Sequence, residues 1–216
     1  MQKVTLTFDN GPEPEVTPRV LDILARRGLL TTFFVIGQKL LDPERMDLAK
    51  RARKEGHRIG NHTFTHSTPL GQMDDTAAAV SELEKTDALV AKTGETEKLF
   101  RPFGGGGKLG PHLLNPQVVA FLKRNAYSCV LWNAIPRDWA DPDGWVDRAL
   151  EQIASRNHTL MVLHDLPTGA MEHLEDFLDR AESAGVEFHN DFPLDCVPMV
   201  GGKDMVPLAP YISATA

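Results

Sequence analysis

The sequence predicts an α/β protein in which about seven parallel strands and their helices form a (β/α) barrel. Strand-like and helix-like runs alternate along most of the 216 residues, and the connections between them are short. We favour a barrel over an open doubly wound sheet because polar and ionisable residues lie at the C-terminal ends of several strands. In a (β/α) barrel the face that holds these strand ends carries the active site. These residues are Asp9, His62, Arg101, Asp138 and His164.

The first half of the chain predicts three strand–helix units. Thr17 and Asp42 each precede a proline, which is typical of a helix N-cap followed by proline at the first helical position. The first two helices are expected to end at Gly28 and Gly56. Strands are expected at residues 4–8, 31–36 and 57–61, and a third helix at residues 75–92.

The second half repeats this pattern. Asn115 and Asp141 each precede a proline and are expected to open helices, and a further helix is expected to end at Gly185. Strands are expected to end near Arg101 and to span residues 126–132, 160–163 and 186–188.

The sequence shows no linker or internal repeat. We predict that residues 1–190 form the barrel. Residues 191–216, which are rich in proline and glycine, are predicted to form a tail packed on it. An oligomer contact is the alternative role for this tail.

Composition and charge exclude several classes of protein. A hydrophobic content of 42% and a charged content of 25% exclude a disordered chain, a collagen-like fibre and a coiled coil. The net charge of −7 argues against a nucleic-acid-binding protein, which needs a basic surface. No apolar run reaches the ~18 residues of a membrane helix. Cys129 and Cys196 are predicted to be reduced, buried thiols, and the absence of a signal-peptide pattern predicts a cytoplasmic protein.

An acidic residue directly follows the first predicted strand. Asp9 lies in the run TFDNGP, between apolar residues and a Gly-Pro turn. One interpretation is a residue that caps the turn. The other is a carboxylate held rigidly at a strand end for a functional purpose.

Two histidines follow the third predicted strand. His62 and His66 lie in the run HTFTH, and their spacing places both on one side of a helical turn or tight loop. They are then close enough to share one metal ion. The alternative is two unrelated surface or core histidines.

The next strand ends in the run RPFGGGG, which begins at Arg101. Glycine allows a backbone to approach a ligand closely, and a flexible loop is the alternative interpretation. A nucleotide site is disfavoured because the glycines match neither the GxxxxGK[ST] motif nor a GxGxxG motif that opens a helix. Taken alone, Arg101 would be an ion-pair partner.

Two later strands are also followed by residues that could bind a substrate or transfer a proton. Trp139, in the run IPRDW, could form the wall of a sugar-binding pocket. His164 ends an apolar strand in the run LHD, beside a carboxylate, where an imidazole can donate a proton.

Taken in order, TFDNGP, HTFTH, RPFGG, IPRDW and LHD resemble the motif series of the polysaccharide deacetylase family. This family is also called the NodB-homology domain or carbohydrate esterase family four, and the resemblance extends over residues 5–165. It implies a NodB-like distorted (β/α) barrel. It also implies removal of N-acetyl or O-acetyl groups from glycans such as chitin oligomers, peptidoglycan and xylan, while some relatives hydrolyse other small amides.

The resemblance implies a role for each motif residue. Asp9 matches the general base, Arg101 the residue that orients it, and His164 the general acid. His62 and His66 match the histidine ligands of a divalent metal, commonly zinc. The matches expected to bind substrate are Phe103, Gly104 (whose N–H helps to hold the oxyanion), and Trp139 and Leu163 around the acetyl methyl group.

Two positions depart from the family pattern. The third metal ligand is normally Asp but is Asn10 here, and its uncharged amide oxygen predicts weaker metal binding. The fourth motif normally begins with an Asp that tunes the catalytic histidine. Ile135 occupies that place, and Asp138 is the remaining carboxylate that could substitute for it.

Three functions remain open at this point. The first is a cytoplasmic, zinc-dependent deacetylase of an N-acetylated sugar such as a chitooligosaccharide, since the missing export signal disfavours an intact cell-wall polymer. The second is metal-independent hydrolysis of a small non-sugar amide. The third is a carbohydrate-binding protein with a decayed site, against which the retained motif residues argue. In each case the expected partner is a carbohydrate or a small amide, and neither nucleic acid nor membrane is expected.

Overall fold

The computed structural model describes residues 2–214, in which strands and helices alternate as the sequence predicts. The strands are β1 (Lys3–Asp9), β2 (Thr32–Val35), β3 (Arg58–Asn61), β4 (Leu99–Phe100), β5 (Ser128–Cys129), β6 (His158–His164), β7 (Glu187–His189), β8 (Met199–Val200) and β9 (Lys203–Asp204). The helices are α1 (Thr17–Arg27), α2 (Pro43–Lys54), α3 (Thr76–Val90), α4 (Pro116–Arg124), α5 (Trp145–Ala154) and α6 (Leu174–Ser183).

The strands form one curled sheet around β1. Strand β1 pairs in parallel with β6 along its whole length, and on its other side with β7 at its start and β2 at its end. Strands β2, β3, β4 and β5 continue the parallel order. Beyond β5 the backbone returns to β6 through a parallel bridge between Ala134 and Met161. The predicted distorted (β/α) barrel is therefore confirmed.

The C-terminal residues add an antiparallel edge that the sequence did not predict. Strand β8 pairs antiparallel with β5 through Met199 and Cys129, and β9 pairs with β8. The N–H of Leu131 also donates to the carbonyl of Cys196 over 2.7 Å. The described part of the tail thus packs against the sheet, and the predicted domain boundary and oligomer contact stay predictions.

Helix starts follow the predicted capping residues in two cases and differ in two. Side-chain oxygens of Asp42 and Asn115 accept backbone N–H groups at the starts of α2 and α4. Asp75, where the third helix was expected to begin, caps α3 in the same way. Thr17 does not cap α1, because its hydroxyl donates instead to Asp165 over 2.5 Å. Asp141 accepts the N–H of Gly144, and this turn delays the start of α5 to Trp145.

Alternate residues of each long strand face different layers of the core. In β6, Met161 and Leu163 belong to the cluster that packs against helices α1, α5 and α6, whereas Leu160 and Val162 belong to a second cluster that includes Phe100. This period of two follows from strand geometry. His164 therefore faces the same side as Val162. No helix among residues 2–214 is long and apolar enough to span a membrane.

Candidate active site

Five of the polar residues predicted from the motifs line one cavity of about 260 Å³ at the C-terminal ends of the strands: Asp9, Asn10, His62, His66 and His164. Asp9 ends β1, His62 directly follows β3, and His164 ends β6. The remaining lining is glycine backbone and apolar side chains. It comprises Pro102, Phe103, Gly104, Gly105, Gly106, Gly107, Trp132, Ile135, Trp139, Val162 and Leu166.

Asp9 is held by a fully buried guanidinium. Nη1 of Arg101 donates to Asp9 Oδ1 over 2.8 Å and to the hydroxyl of Thr7 over 2.7 Å. Carbonyl oxygens of Val130 and Leu131 accept from the rest of the guanidinium. Burial alone would raise the pKa of Asp9, but the charge and the hydrogen bond of Arg101 outweigh it and lower that pKa. Asp9 is therefore an ionised carboxylate with Oδ2 turned towards His62.

The two histidines are neutral imidazoles in the cavity wall. Nδ1 of His62 lies 2.8 Å from the carbonyl oxygen of Arg101, which can only accept, so Nδ1 carries the proton. Nε2 of His62 is left as an acceptor, 3.6 Å from Asp9 Oδ2. Burial lowers the pKa of His62 and lowers the pKa of His66 to about 3. Their ring centroids are 4.9 Å apart, and neutral rings are the form that binds metals.

Asn10 adds an unpartnered oxygen to this pair. Its backbone has a φ of 73°, in the left-handed region that asparagine tolerates better than most residues. Oδ1 of Asn10 is buried and has no hydrogen-bond partner among the described residues. A buried acceptor without a donor is costly unless a ligand satisfies it. An amide oxygen and two imidazoles suit a divalent cation, although no group of three His, Cys, Asp or Glu with metal-binding geometry occurs within residues 2–214.

His164 is paired with Asp138 at the end of β6, the strand next to β1. Asp138 Oδ1 lies 2.9 Å from Nδ1 of His164, and Oδ2 accepts the His164 backbone N–H over 2.8 Å. Burial would lower the pKa of His164, but the hydrogen bond and charge of Asp138 outweigh it and raise that pKa. The ring of Trp139 meets the imidazole edge to face, with centroids 4.7 Å apart.

The glycine-rich loop packs directly on two apolar side chains. A Cβ atom on Gly104 would lie 2.6 Å from Trp132, and one on Gly107 would lie 2.4 Å from Ile135. Nε1 of Trp132 donates to the carbonyl of Gly107 over 2.9 Å. The ring of Phe103 packs against His66 with centroids 3.9 Å apart. Glycine at positions 104 and 107 therefore lets the loop close one wall of the cavity.

Comparison with known proteins assigns the chain to a family. The polysaccharide deacetylase family model matches residues 1–130. A peptidoglycan-N-acetylglucosamine deacetylase from Bacillus cereus is 32% identical over 166 residues, which cover 75% of this chain and 72% of the relative. The chain belongs to the polysaccharide deacetylase family. A chitooligosaccharide deacetylase from Sinorhizobium fredii is also 32% identical, over 75% of this chain and 71% of its own length.

A solved structure agrees with this membership. The family 4 acetyl xylan esterase from Clostridium thermocellum, solved with a cobalt ion, is 28% identical, with a TM-score of 0.68. The alignment covers 88% of each chain. This chain is therefore similar, over most of its length, to a family 4 esterase that has been solved with a cobalt ion.

The fourth motif left open whether Asp138 could take the place of the Asp that is replaced by Ile135. In the structure Asp138 contacts both the ring and the backbone N–H of His164, and Ile135 lies in the cavity wall against Gly107. The departure at Ile135 thus changes the wall and leaves the histidine paired.

Leu163 does not lie where the motif match placed it. Its side chain is fully buried among helix-facing core residues, and Val162 and Leu166 line the cavity instead. The reason is the strand period of two, which puts Val162 on the same face as His164. Counting back two residues from His164 would have found Val162 in the sequence. Trp132, which no motif match assigned to the site, also lines the cavity, through contacts that only the fold reveals.

Proposed function

We propose that the protein removes the N-acetyl group from N-acetylglucosamine residues of an oligosaccharide, with a divalent metal, most suitably zinc, held by His62, His66 and Asn10. The observation that carries this proposal is that the ionised Asp9 and the Asp138-paired His164 line one cavity with a neutral histidine pair. The substrates named for the two relatives, peptidoglycan and chitooligosaccharides, both contain N-acetylglucosamine.

Different residues of the cavity carry out the two proton transfers of the reaction. A divalent ion held by the three ligands would supply Lewis acidity, which polarises the acyl oxygen and lowers the pKa of a water molecule. Asp9 accepts a proton from the attacking water, since the charges around it keep it ionised. Arg101 fixes Asp9 in one orientation through Oδ1 and leaves Oδ2 towards the cavity.

His164 completes the proton transfers. Its pKa is raised by Asp138, so the imidazolium form is populated near neutral pH and can protonate the leaving nitrogen. Water thus loses one proton to Asp9, the nitrogen gains one from His164, and acetic acid, which ionises in water, and a free amine leave. Transfer of a proton from Asp9 to solvent and from solvent to His164 restores both residues. Trp139 and Val162 offer an apolar surface to the acetyl methyl group, and the N–H of Gly104 is proposed to help hold the oxyanion.

The apolar wall of the cavity favours a second candidate, hydrolysis of a small non-sugar amide. Trp132, Ile135, Val162 and Leu166 offer no hydroxyl or amide side chain to sugar hydroxyls, and the one polar atom of Trp132 already bonds to Gly107. A site built for sugar hydroxyls gains much of its discrimination from such groups. Substrate comparison separates the two candidates.

The experiment is acetate release by zinc-loaded protein from N-acetylglucosamine oligomers of increasing length and from simple N-acetyl amines, with and without chelator. We expect acetate release from the oligomers, and we expect chelator to abolish this release and added zinc to restore it. Preference for simple amides would favour the second candidate. Full activity in chelator would contradict the metal-dependent reaction.

A further inference from the structure

The turn between the two histidines has an unfavourable backbone conformation. Thr63 has a φ of 68° and His66 a φ of 52°, both in the left-handed region. This region is uncommon for residues other than glycine and unusual for a β-branched residue such as threonine. Such residues persist where the surrounding structure holds them in place. The contacts that hold this turn are therefore part of the histidine site.

One group of contacts comes from neighbouring strands and loops. The carbonyl of Thr63 accepts from the N–H of Gly37, and the carbonyl of Phe64 accepts from the N–H of Gln38, each over 2.9 Å. The N–H of Thr63 donates to the side chain of Asn61 over 3.0 Å. These bonds fix the start of the turn but leave the next two N–H groups to another partner.

That partner is a single carboxylate oxygen on helix α3. Oε2 of Glu82 accepts the N–H of Phe64 over 3.0 Å and the N–H of Thr65 over 2.7 Å. The hydroxyl of Thr65 donates to the same oxygen over 3.0 Å. Hydrogen bonds to an ionised acceptor are stronger than neutral ones. Three donors of the turn thus converge on Glu82.

Helix α3, which carries this carboxylate, is anchored in the core. Leu83 and Ala79 on the helix are fully buried in the core. The side-chain amide of Asn61, at the end of β3, donates to the carbonyl of Leu83 over 2.9 Å. Glu82 itself does not line the cavity, so it can act on the reaction only through the turn that it holds.

We propose that Glu82 is a positioning residue that holds the turn presenting His62 and His66, and that it thereby sets the affinity of the site for its divalent cation. This inference rests on the proposed function, because it assumes that the two histidines bind the cation. Residues that orient metal ligands commonly change metal affinity by about 10–100-fold when they are removed.

The test compares Glu82→Ala and Glu82→Gln with Glu84→Ala, a change at an exposed position of the same helix. Zinc affinity of the metal-free protein is measured by competition with a chromogenic chelator. Backbone hydrogen exchange of the turn and thermal unfolding of the metal-free protein are measured in parallel. Glu82→Gln keeps an acceptor oxygen and the side-chain size, so it preserves the comparison if the alanine variant fails to fold.

We expect Glu82→Ala to weaken zinc binding about 10–100-fold and to speed amide exchange at Phe64 and Thr65. Glu82→Gln should fall between this variant and the wild type, and Glu84→Ala should match the wild type. Wild-type zinc affinity in Glu82→Ala, or equal weakening in Glu84→Ala, would overturn the positioning role. Absence of zinc binding in the wild-type protein would contradict the metal site itself, and the role of Glu82 with it.

Discussion

Asp138 bonds to His164 at two points, with Oδ1 2.9 Å from the ring Nδ1 and Oδ2 2.8 Å from the backbone N–H. The paired contacts fix both the position of the residue and the orientation of its ring. They also leave Nε2 as the ring atom that can give a proton to a substrate. The carboxylate is fully buried, so its charge acts on the imidazole with little screening by water.

Replacing Asp138 with Asn should lower the rate and move its pH dependence. Because the charge of Asp138 raises the pKa of His164, its loss lowers that pKa, and the proton donor is lost at a lower pH. We expect kcat to fall by at least about 100-fold and its alkaline limb to shift to lower pH. Asp141→Asn, at a half-exposed position nearby, is the control and should leave the profile unchanged. An unshifted alkaline limb in Asp138→Asn would contradict the role of His164 as acid.

Replacing Arg101 with Met should damage both stability and activity. The change leaves Asp9 buried beside His62 without the guanidinium that keeps it ionised. Removing one partner of a buried ion pair typically costs about 3–5 kcal/mol. Denaturant unfolding should show a loss of this size, and the remaining folded protein should have little activity. The exposed pair of Lys123 and Asp204 supplies the control, because Lys123→Met should cost less than about 1 kcal/mol.

Replacing Asn10 with Asp should tighten metal binding. The buried Oδ1 of Asn10 has no donor among the described residues, and a carboxylate there adds a full negative charge to the ligand set. We expect the zinc dissociation constant, measured by chelator competition, to fall by at least about tenfold, which corresponds to about 1.4 kcal/mol. Asn125→Asp, at an exposed position, should leave it unchanged. Equal affinity in Asn10→Asp and the wild type would show that position 10 does not face the ion.

Asp165 should make the stability of the protein depend on pH. Burial raises its pKa to about 7 from an ordinary value of 3.8, and its Oδ1 has no partner among residues 2–214. The folded state therefore keeps this proton over a range in which the unfolded state releases it, so stability falls as pH rises from about 4 to about 7. Asp165→Asn removes this loss.

The free energy of unfolding of Asp165→Asn should exceed the wild-type value by an amount that grows between pH 4 and pH 7 and stays constant above pH 7. At pH 8 we expect this difference to be on the order of 2–4 kcal/mol. Denaturant unfolding at pH 5 and pH 8 measures it, with the exposed Asp47→Asn as control. A gain that does not change with pH would show that Asp165 is ionised in the folded protein.

Local signals in the sequence predicted the helices better than the strands. Asp42 and Asn115 cap helices through contacts three residues away, so the sequence pattern contains the whole interaction. The predicted strand at 126–132 contributes only Ser128 and Cys129 to the parallel ladder. Its next residues bond to Phe100 and to Cys196 of the tail, and such distant partners leave no local pattern.

The same distinction applies to the site. The motifs located Asp9, His62, His66 and His164 because each lies at or just beyond the end of a strand, and the fold brings those ends together. The motif match misplaced the pocket residue at Leu163, where strand alternation decides the face. It also gave no sign of Glu82, since that carboxylate reaches the histidine turn from a separate helix.

Asp9 is the proposed base of the deacetylation centre, and its replacement by Asn isolates this role. Acetate release from an N-acetylglucosamine tetramer is measured for zinc-loaded wild-type protein and for zinc-loaded Asp9→Asn. We expect steady release by the wild type and a rate at least about 100-fold lower in the variant, with unchanged zinc content and circular dichroism. Equal rates in the two proteins would show that Asp9 is not the base, and no acetate from the zinc-loaded wild type would rule out deacetylation of this substrate.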